Sequence, residues 1–256
     1  MNKGFIYRAP SPEDYHSQGG VRLGGLVLQA DGQWDDWLPL PEAQNKYGLE
    51  TQGCTAFNTL KCVQALEKRI YGQVRNWSDR FLAKMGGVTP NGADPHTMAE
   101  ALRKKGCVYE TDWPFLERTD EWNEFYADIP FALEADAQAK FKGLYNFGHQ
   151  YVGTNPLAMM SELRYSPLGV DVYAWRERNG KYIREGASGH WTMVYGFEEG
   201  KYWKCLDSYE PYIKRLDWNF GFTMVKRYTL DKRVLGEDLW SKAVRYLRNF
   251  YVDLVS

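Results

Sequence analysis

One cysteine stands at the start of the clearest helix in the sequence and has the setting of a nucleophile. From Cys54 to position 71, apolar residues recur at spacings of three and four, as at Phe57, Leu60, Val63, Leu66 and Ile70. This spacing is typical of an amphipathic helix, which Gly72 would end. The N–H groups and the dipole at the start of a helix favour an anion and lower the pKa of a thiol there. The sequence therefore predicts that Cys54 reacts as a thiolate, whereas Cys62, Cys107 and Cys205 are interpreted as small buried residues.

A nucleophilic thiol needs a base, and His190 has the most suitable context among the four histidines. It follows Gly189 and begins HWTMVYGF, a run with the residue types of a strand. Asp207 comes seventeen residues later, in KCLDSYEP, at the end of the next predicted strand. Glu199-Gly200 predicts a hairpin turn between the two strands, which would bring His190 and Asp207 together. Asp207 would then hold the imidazole in one tautomer and stabilise its charged form.

Composition excludes several other classes of function. A net charge of −1 gives no electrostatic basis for binding nucleic acid or a membrane surface. No stretch approaches the length of a membrane-spanning helix, and the first twenty residues lack the apolar run of a signal peptide. The four cysteines are widely spaced and form no CxxC pair, which argues against a zinc site or a disulfide scaffold. We expect free thiols in a reducing compartment, with no metal and no cofactor.

Helices come first along the chain and strands second. Residues 1–40 read as an irregular arm with a short strand at 26–28, and Pro156 to Leu163 as a late helix. Ser78 is expected to begin a second helix, and Asp94 or Thr97 a third that ends at Gly106. The predicted strands lie in PLGVDVYAW, HWTMVYGFEE, KYWKCLDSY and RLDWNFGFTMVKRYTL, and a C-terminal helix is expected in EDLWSKAVRYLRNFYVDLV. This order predicts an α+β protein whose two halves face each other across a cleft.

Three ordered segments resemble the papain family of cysteine peptidases. QGCTAFNTLKCVQALE resembles the family's nucleophile helix, with Thr55 in place of the usual aromatic residue and with Ala56, Phe57 and Glu67 fitting. Residues 76–115, from NWSDRF to TDWPF, resemble the helices and turns that follow, and GHWTMVYGFEEGKYWKCLDSYEP resembles the segment with the catalytic His and Asn. His190 and Asp207 lie 136 and 153 residues after Cys54, close to the family's separation of about 130 to 150. The resemblance covers about residues 40 to 215.

The resemblance implies a papain-like two-lobed fold with the active site between a helical half and an antiparallel sheet or barrel. The implied arrangement is an N-terminal arm at 1–40, a catalytic domain at 41–227 and a C-terminal helix at 228–256 packed on it. Within the domain, the helical lobe would span about 50–125 and the β lobe about 150–227. Asp207 stands where the family usually has Asn. The disulfide-forming cysteine that usually precedes the nucleophile is absent, in agreement with free thiols.

The family also supplies an oxyanion donor, a Gln side chain several residues before the nucleophile. Gln44 lies ten residues before Cys54, and Gln52 lies two before it. Gln52 is too near in sequence to fold back easily, whereas the loop NKYGLETQ would let Gln44 do so. We prefer Gln44 as the donor and keep Gln52 as the alternative and as a substrate-binding residue.

The resemblance also implies substrate contacts. Gly92 matches a turn whose backbone pairs with an extended peptide. Trp191 and Tyr209 are expected to wall the cleft, and Val170 and Val172 to lie on the strand that lines a specificity pocket. Because Trp191 is bulkier than the residue usual there, we expect a narrow pocket for small side chains or an isopeptide tail.

The predicted function is a hydrolase that cleaves peptide or isopeptide bonds through Cys54, His190 and Asp207. Its partner would be a peptide or protein substrate, and no long inhibitory segment precedes Cys54, so general digestion is not expected. The short arm and Thr55 resemble divergent papain-like proteins of bacteria and phages, which implies a cytoplasmic or virion location. Two alternatives remain open. One is a structural or attachment component of a larger particle with little or no turnover, and the other is a transglutaminase-like acyl transferase.

Overall fold

The computed structural model describes residues 4–16, 26–116 and 121–232. The first half of the chain is helical, and one helix dominates it. The described helices are α1 (Cys54–Tyr71), α2 (Asp79–Met85), α3 (Pro95–Lys105), α4 (Trp122–Phe125), α5 (Phe131–Ala137) and α6 (Pro156–Leu163). Short 3₁₀ turns occupy Asp35–Trp37 and Lys46–Gly48, and a π-helical turn at Gln138–Lys142 extends α5.

The helix ends follow the local signals in the sequence. The Ser78 hydroxyl accepts a hydrogen bond from the Phe81 N–H and begins α2. The Asp94 carboxylate accepts from the N–H groups of the first turn of α3, so Asp94 is the cap of that helix. Gly72 ends α1 in the left-handed region with φ 68°, which a residue with a side chain adopts at a cost.

The second half of the chain forms a six-stranded sheet. Its strands are β1 (Tyr145–Tyr151), β2 (Leu168–Arg178), β3 (Lys181–Glu198), β4 (Tyr202–Leu206), β5 (Ile213–Asp217) and β6 (Val225–Lys232). The strand order is β1-β6-β2-β3-β4-β5, and all neighbours pair antiparallel. One further, parallel pairing joins Tyr182 of β3 to Leu216 of β5. The fold is therefore α+β, as predicted.

Several predicted boundaries differ from the observed ones. Residues 26–28 are irregular and form no strand. The β half begins with β1 at Tyr145, because the aromatic run there pairs with β6, a partner more than seventy residues away. Strand β6 extends to Lys232, so the segment expected to be helical from 228 begins as strand. The remainder of that predicted helix lies outside the described residues.

Helix α1 is the central element that joins the two halves. Its residues from Cys54 to Glu67 are all buried, polar ones included. The Asn58 side chain ties α1 to β3, because its amide Nδ2 donates to the Cys54 carbonyl at 2.9 Å and to the Trp191 carbonyl at 2.5 Å. The start of α1 is thereby fixed against the strand that carries His190. In the described part of the chain, no helix combines the length and the apolar character needed to cross a bilayer.

Candidate active site

Cys54 lies in the first turn of α1, next to the strand that carries His190. Gly53 is the residue before the helix, and the Cys54 side chain is completely buried. It belongs to a small apolar cluster, separate from the main core, whose other members are Phe5, Tyr151, Trp191 and Met224. The thiol is therefore positioned at a helix start, as predicted, but beneath a cover of side chains.

This cover reverses the expected effect on the thiol. Burial raises the pKa of Cys54, and the negative charges of Asp207 and Glu50 raise it further. A hydrogen bond to the Trp191 backbone acts in the opposite direction and lowers it by less. The expectation of a lowered pKa is thus wrong for the folded chain, because loss of water outweighs the helix start.

The hairpin of β3 and β4 brings His190 and Asp207 into contact. The distance between His190 Nε2 and Asp207 Oδ1 is 2.6 Å, and both side chains are buried. Since Nε2 is engaged by the carboxylate, any proton exchange with a thiol would go through the other ring nitrogen, Nδ1. The Tyr209 ring lies 5.2 Å from the His190 ring, measured between centroids. Tyr209, which was expected to wall the cleft, therefore lies against the imidazole of His190.

Asp207 has a second cationic partner that the sequence reading missed. Lys214 Nζ lies 2.6 Å from Asp207 Oδ2, and the Ser208 N–H donates to Oδ1 at 2.7 Å. Burial alone would raise the pKa of Asp207, but His190 and Lys214 outweigh burial and lower it. Asp207 is therefore a carboxylate in the folded chain.

Both candidate oxyanion donors lie in the loop before α1, in different settings. The buried Gln44 accepts from Ser208 Oγ at 2.8 Å through its side-chain oxygen and donates from Nε2 to Glu50 at 2.9 Å. Gln52 has φ 55°, and its buried side-chain oxygen has no hydrogen-bond partner among the residues that the structure describes. Gln44 is thus linked directly to Ser208, the residue that follows Asp207. Glu50, which the sequence reading missed, holds the amide nitrogen of Gln44.

The backbone beside Gly92 pairs with an extended segment of the chain itself. The Gly92 N–H and carbonyl both bond Thr89. Ala93 instead donates to the Gly4 carbonyl at 3.0 Å and accepts from the Ile6 N–H at 3.1 Å, so the paired peptide is the chain's own N-terminal arm. A side chain at Gly92 would meet the Gly4 carbonyl oxygen at 2.0 Å, so the close approach of the arm requires glycine.

The remaining predicted contact residues divide between two clusters. Trp191 is fully buried and stacks on Phe5 with ring centroids 5.7 Å apart. The Phe5 ring therefore covers this face of the Trp191 side chain. Val170 and Val172 belong to the main hydrophobic core, apart from the cluster around Cys54. Because side chains alternate along β2, it is Asp171 that pairs with Trp191 in register.

A sequence signal for Lys214 does exist in hindsight. In the short strand β5, burial alternates, with Lys214 and Leu216 inward and Ile213 outward. Because Leu216 is buried, the alternation places Lys214 on the same buried face, where a cation needs a partner.

Within residues 4–16, 26–116 and 121–232, no group of three or more metal-ligating side chains is arranged to hold an ion, and the four cysteines are free thiols.

Comparison with known proteins relates this geometry to one class. No family model matches the chain, and no curated protein matches it. Solved structures do match. Digestive procathepsin L 3 of Tenebrio molitor has a TM-score of 0.58 at 15% identity, over 89% of this chain and 76% of that one. The bromelain protease of Ananas comosus, solved with the E64 inhibitor, has a TM-score of 0.55 at 19% identity, over 78% of this chain and 98% of that one.

A third structure extends the match to a bacterial protein. The protease and lectin-like domains of Cwp84, a surface-layer-associated protein of Clostridium difficile, have a TM-score of 0.62 at 12% identity. That match covers 83% of this chain and 55% of the other. The chain therefore has the fold of papain-like cysteine proteases. These fold neighbours are themselves cysteine proteases.

Proposed function

We propose that the protein is a cysteine-dependent hydrolase that cleaves peptide or isopeptide bonds through a thioester. The observation that carries this proposal is the buried contact of 2.6 Å between His190 and Asp207, on the hairpin next to the Cys54 helix. A nucleophile at a helix start, with a base that a third group orients, is the arrangement that acyl transfer needs.

In the proposed reaction, His190 Nδ1 takes the proton from the Cys54 thiol. The sulfur then attacks the carbonyl carbon of the scissile bond and forms a C–S bond, while the carbonyl oxygen takes up the negative charge. When the tetrahedral intermediate collapses, the C–N bond breaks, and His190 gives its proton to the leaving amine. Water, deprotonated by His190, then attacks the thioester, which releases the carboxylic acid and restores the thiol. Asp207 keeps the imidazole oriented throughout.

The first test compares digestion of a peptide library by the wild type and by Cys54→Ala. Because only a thiolate at position 54 can form the thioester, we expect cleavage by the wild type and none above background by the variant. Mass spectrometry of the products gives the bonds cut, and an added amine reveals any transfer in place of hydrolysis. Cys62→Ala is the matched control, and cleavage that survives in Cys54→Ala would overturn the proposal.

We further propose Gln44 as the oxyanion donor, because the Ser208 contact fixes its amide next to the His190–Asp207 pair. Loss of one such donor typically lowers the rate by about 10²–10³. Gln44→Ala is therefore expected to lose this much in kcat, whereas Gln52→Ala keeps most of its activity. Steady-state kinetics on the same peptide measures both. A larger loss of kcat in Gln52→Ala than in Gln44→Ala would assign the role to Gln52. A loss below about tenfold in both variants would show that neither glutamine is the oxyanion donor.

A second candidate function has one observation in its favour. The Cys54 side chain is completely buried, in a cluster that includes Phe5 of the N-terminal arm, which suits a structural or attachment component with little or no turnover. This alternative predicts that exposing the thiol leaves the chain without hydrolytic activity. Alkylation and hydrolysis, measured together in a variant that uncovers Cys54, separate the two functions on this point.

A further inference from the structure

The carboxylate of Asp207 lies between a base and a buried lysine. Oδ1 is 2.6 Å from His190 Nε2, and Oδ2 is 2.6 Å from Lys214 Nζ. The side chain of Asp207 is 0% exposed and that of Lys214 is 2% exposed, so water screens this pair very little. The charge of Lys214 therefore also acts on the imidazole of His190, which is the other partner of Asp207.

Lys214 is held so that it cannot turn away from the carboxylate. Besides Asp207, its Nζ donates to the Tyr209 carbonyl and to the Pro211 carbonyl, both at 2.7 Å. These three acceptors use all three donors of an ammonium group. The turn between β4 and β5 therefore builds a complete site for a cation directly behind Asp207.

We propose that Lys214 is a positioning residue that neutralises Asp207, so that His190 is oriented by a unit with no net charge. The papain family usually has a neutral Asn at this position, and the Asp207–Lys214 pair restores that neutrality with two charged groups. The inference rests on the proposed function. It explains how a carboxylate can replace an amide without adding a net negative charge beside the thiol.

The expected consequence is electrostatic. An uncompensated carboxylate beside His190 would stabilise the imidazolium and oppose formation of the Cys54 thiolate. Both limbs of the pH profile of kcat/KM would then move to higher pH.

The charged and titratable groups that face Asp207 or Cys54 come from the helical half, β3, β4, β5 and the loops. They are Glu50, Cys54, Lys61, Tyr126, Tyr182, His190, Cys205, Tyr209 and Lys214. Since all but Lys214 are kept in Lys214→Met, a shift reports the loss of its charge.

The test is an NMR titration of the His190 ring in the full chain, with the pH profile of hydrolysis beside it. We expect the midpoint of the ring signals to move up by about one pH unit in Lys214→Met and down in Asp207→Asn, which leaves the lysine uncompensated. In the double variant Asp207→Asn/Lys214→Met, which buries no unpaired charge, we expect a return to within about half a unit of the wild type. Lys181→Met is the matched control, because Lys181 also pairs with an aspartate on this sheet but is 35% exposed.

A wild-type midpoint in Lys214→Met would overturn the inference. If that variant does not fold, the double variant decides alone, and a midpoint more than about one unit from the wild type would overturn it. The titration needs no turnover. A wild type that cleaves no peptide while Lys214→Met shifts the midpoint would therefore reject the proposed function and support the electrostatic role of Lys214.

Discussion

Phe5→Ala is expected to raise the alkylation rate of Cys54 by about 10- to 100-fold. Phe5 is 3% exposed, stacks on Trp191 and shares the cluster that buries the thiol. Removal of a buried aromatic side chain costs about 1.5–3 kcal/mol of transfer free energy. A reagent reaches a buried thiol only when the structure around it opens locally, and the variant lowers the free energy of this opening by the same amount. At 1.4 kcal/mol per factor of ten, the rate rises by about one to two orders of magnitude.

Backbone contacts explain why the arm is docked in this place. Residues 4–6 pair with Ala93 through two hydrogen bonds in a parallel bridge, and the Phe5 N–H reaches the Gly189 carbonyl at 3.5 Å. The arm is thus held between the turn after α2 and the residue before His190. A side chain at Gly4 would meet the Gln52 carbonyl oxygen at 2.0 Å, so the arm also contacts the loop before the nucleophile.

The measurement is iodoacetamide labelling followed by peptide mass spectrometry, with the other thiols as internal controls. Cys62, Cys107 and Cys205 are all fully buried elsewhere in the fold. Local release of the arm accelerates labelling of Cys54 alone, whereas general unfolding accelerates all four cysteines. Phe131→Ala removes the same side chain at an 87% exposed position and should leave the labelling unchanged. An unchanged Cys54 rate in Phe5→Ala would show that the arm is not the barrier.

The same variant separates the two candidate functions. If hydrolysis rises together with alkylation of Cys54, the arm restrains an enzyme. If alkylation rises while no peptide is cleaved, the site has a reachable thiol but no catalytic turnover, which favours the structural alternative. In either case the arm, which looked irregular in the sequence, controls access to Cys54.

The parts of the site that the sequence predicted depend on local patterns. The start of α1 at Cys54 follows from helical periodicity and from Gly72 at its end. The contact between His190 and Asp207 follows from alternation in two strands and from a two-residue turn between them. Each of these signals lies within about twenty residues, where geometry is set by backbone periodicity.

The parts that the sequence did not predict depend on contacts between distant segments. Nothing in the residues around Phe5 indicates Trp191 as a partner, so neither the burial of Cys54 nor the rise in its pKa was predicted. Gly92 uses both of its backbone groups in its own turn, so it is Ala93 that pairs with the arm, a contact between distant segments that the sequence did not predict. Lys214 was missed because it lies between two predicted strands, which end at Tyr209 and begin at Arg215, so no strand alternation was assigned to it.

Glu67→Ala is expected to destabilise the protein by about 3–5 kcal/mol, because it removes the acceptor of a buried network. The Glu67 side chain is 0% exposed and accepts hydrogen bonds from both the backbone and the side chain of Arg75. It also accepts from Trp77 Nε1 at 3.2 Å and from the Tyr145 hydroxyl at 2.6 Å. Without the carboxylate, the Trp77 and Tyr145 donors remain buried without this acceptor, while Arg75, 23% exposed, can turn to water.

The measurement is thermal unfolding by circular dichroism. For a chain of this size, each kcal/mol changes Tm by about 2–4 °C, so a fall of about 6–20 °C is expected. Glu67→Gln keeps one acceptor oxygen and should lose less, and Glu199→Ala, in an exposed turn, should leave Tm nearly unchanged. A loss below about 1 kcal/mol in Glu67→Ala would mean that water replaces the carboxylate. Because Glu67 ties α1 to β1 through Tyr145, a large loss would show that this buried network stabilises the helix that carries Cys54.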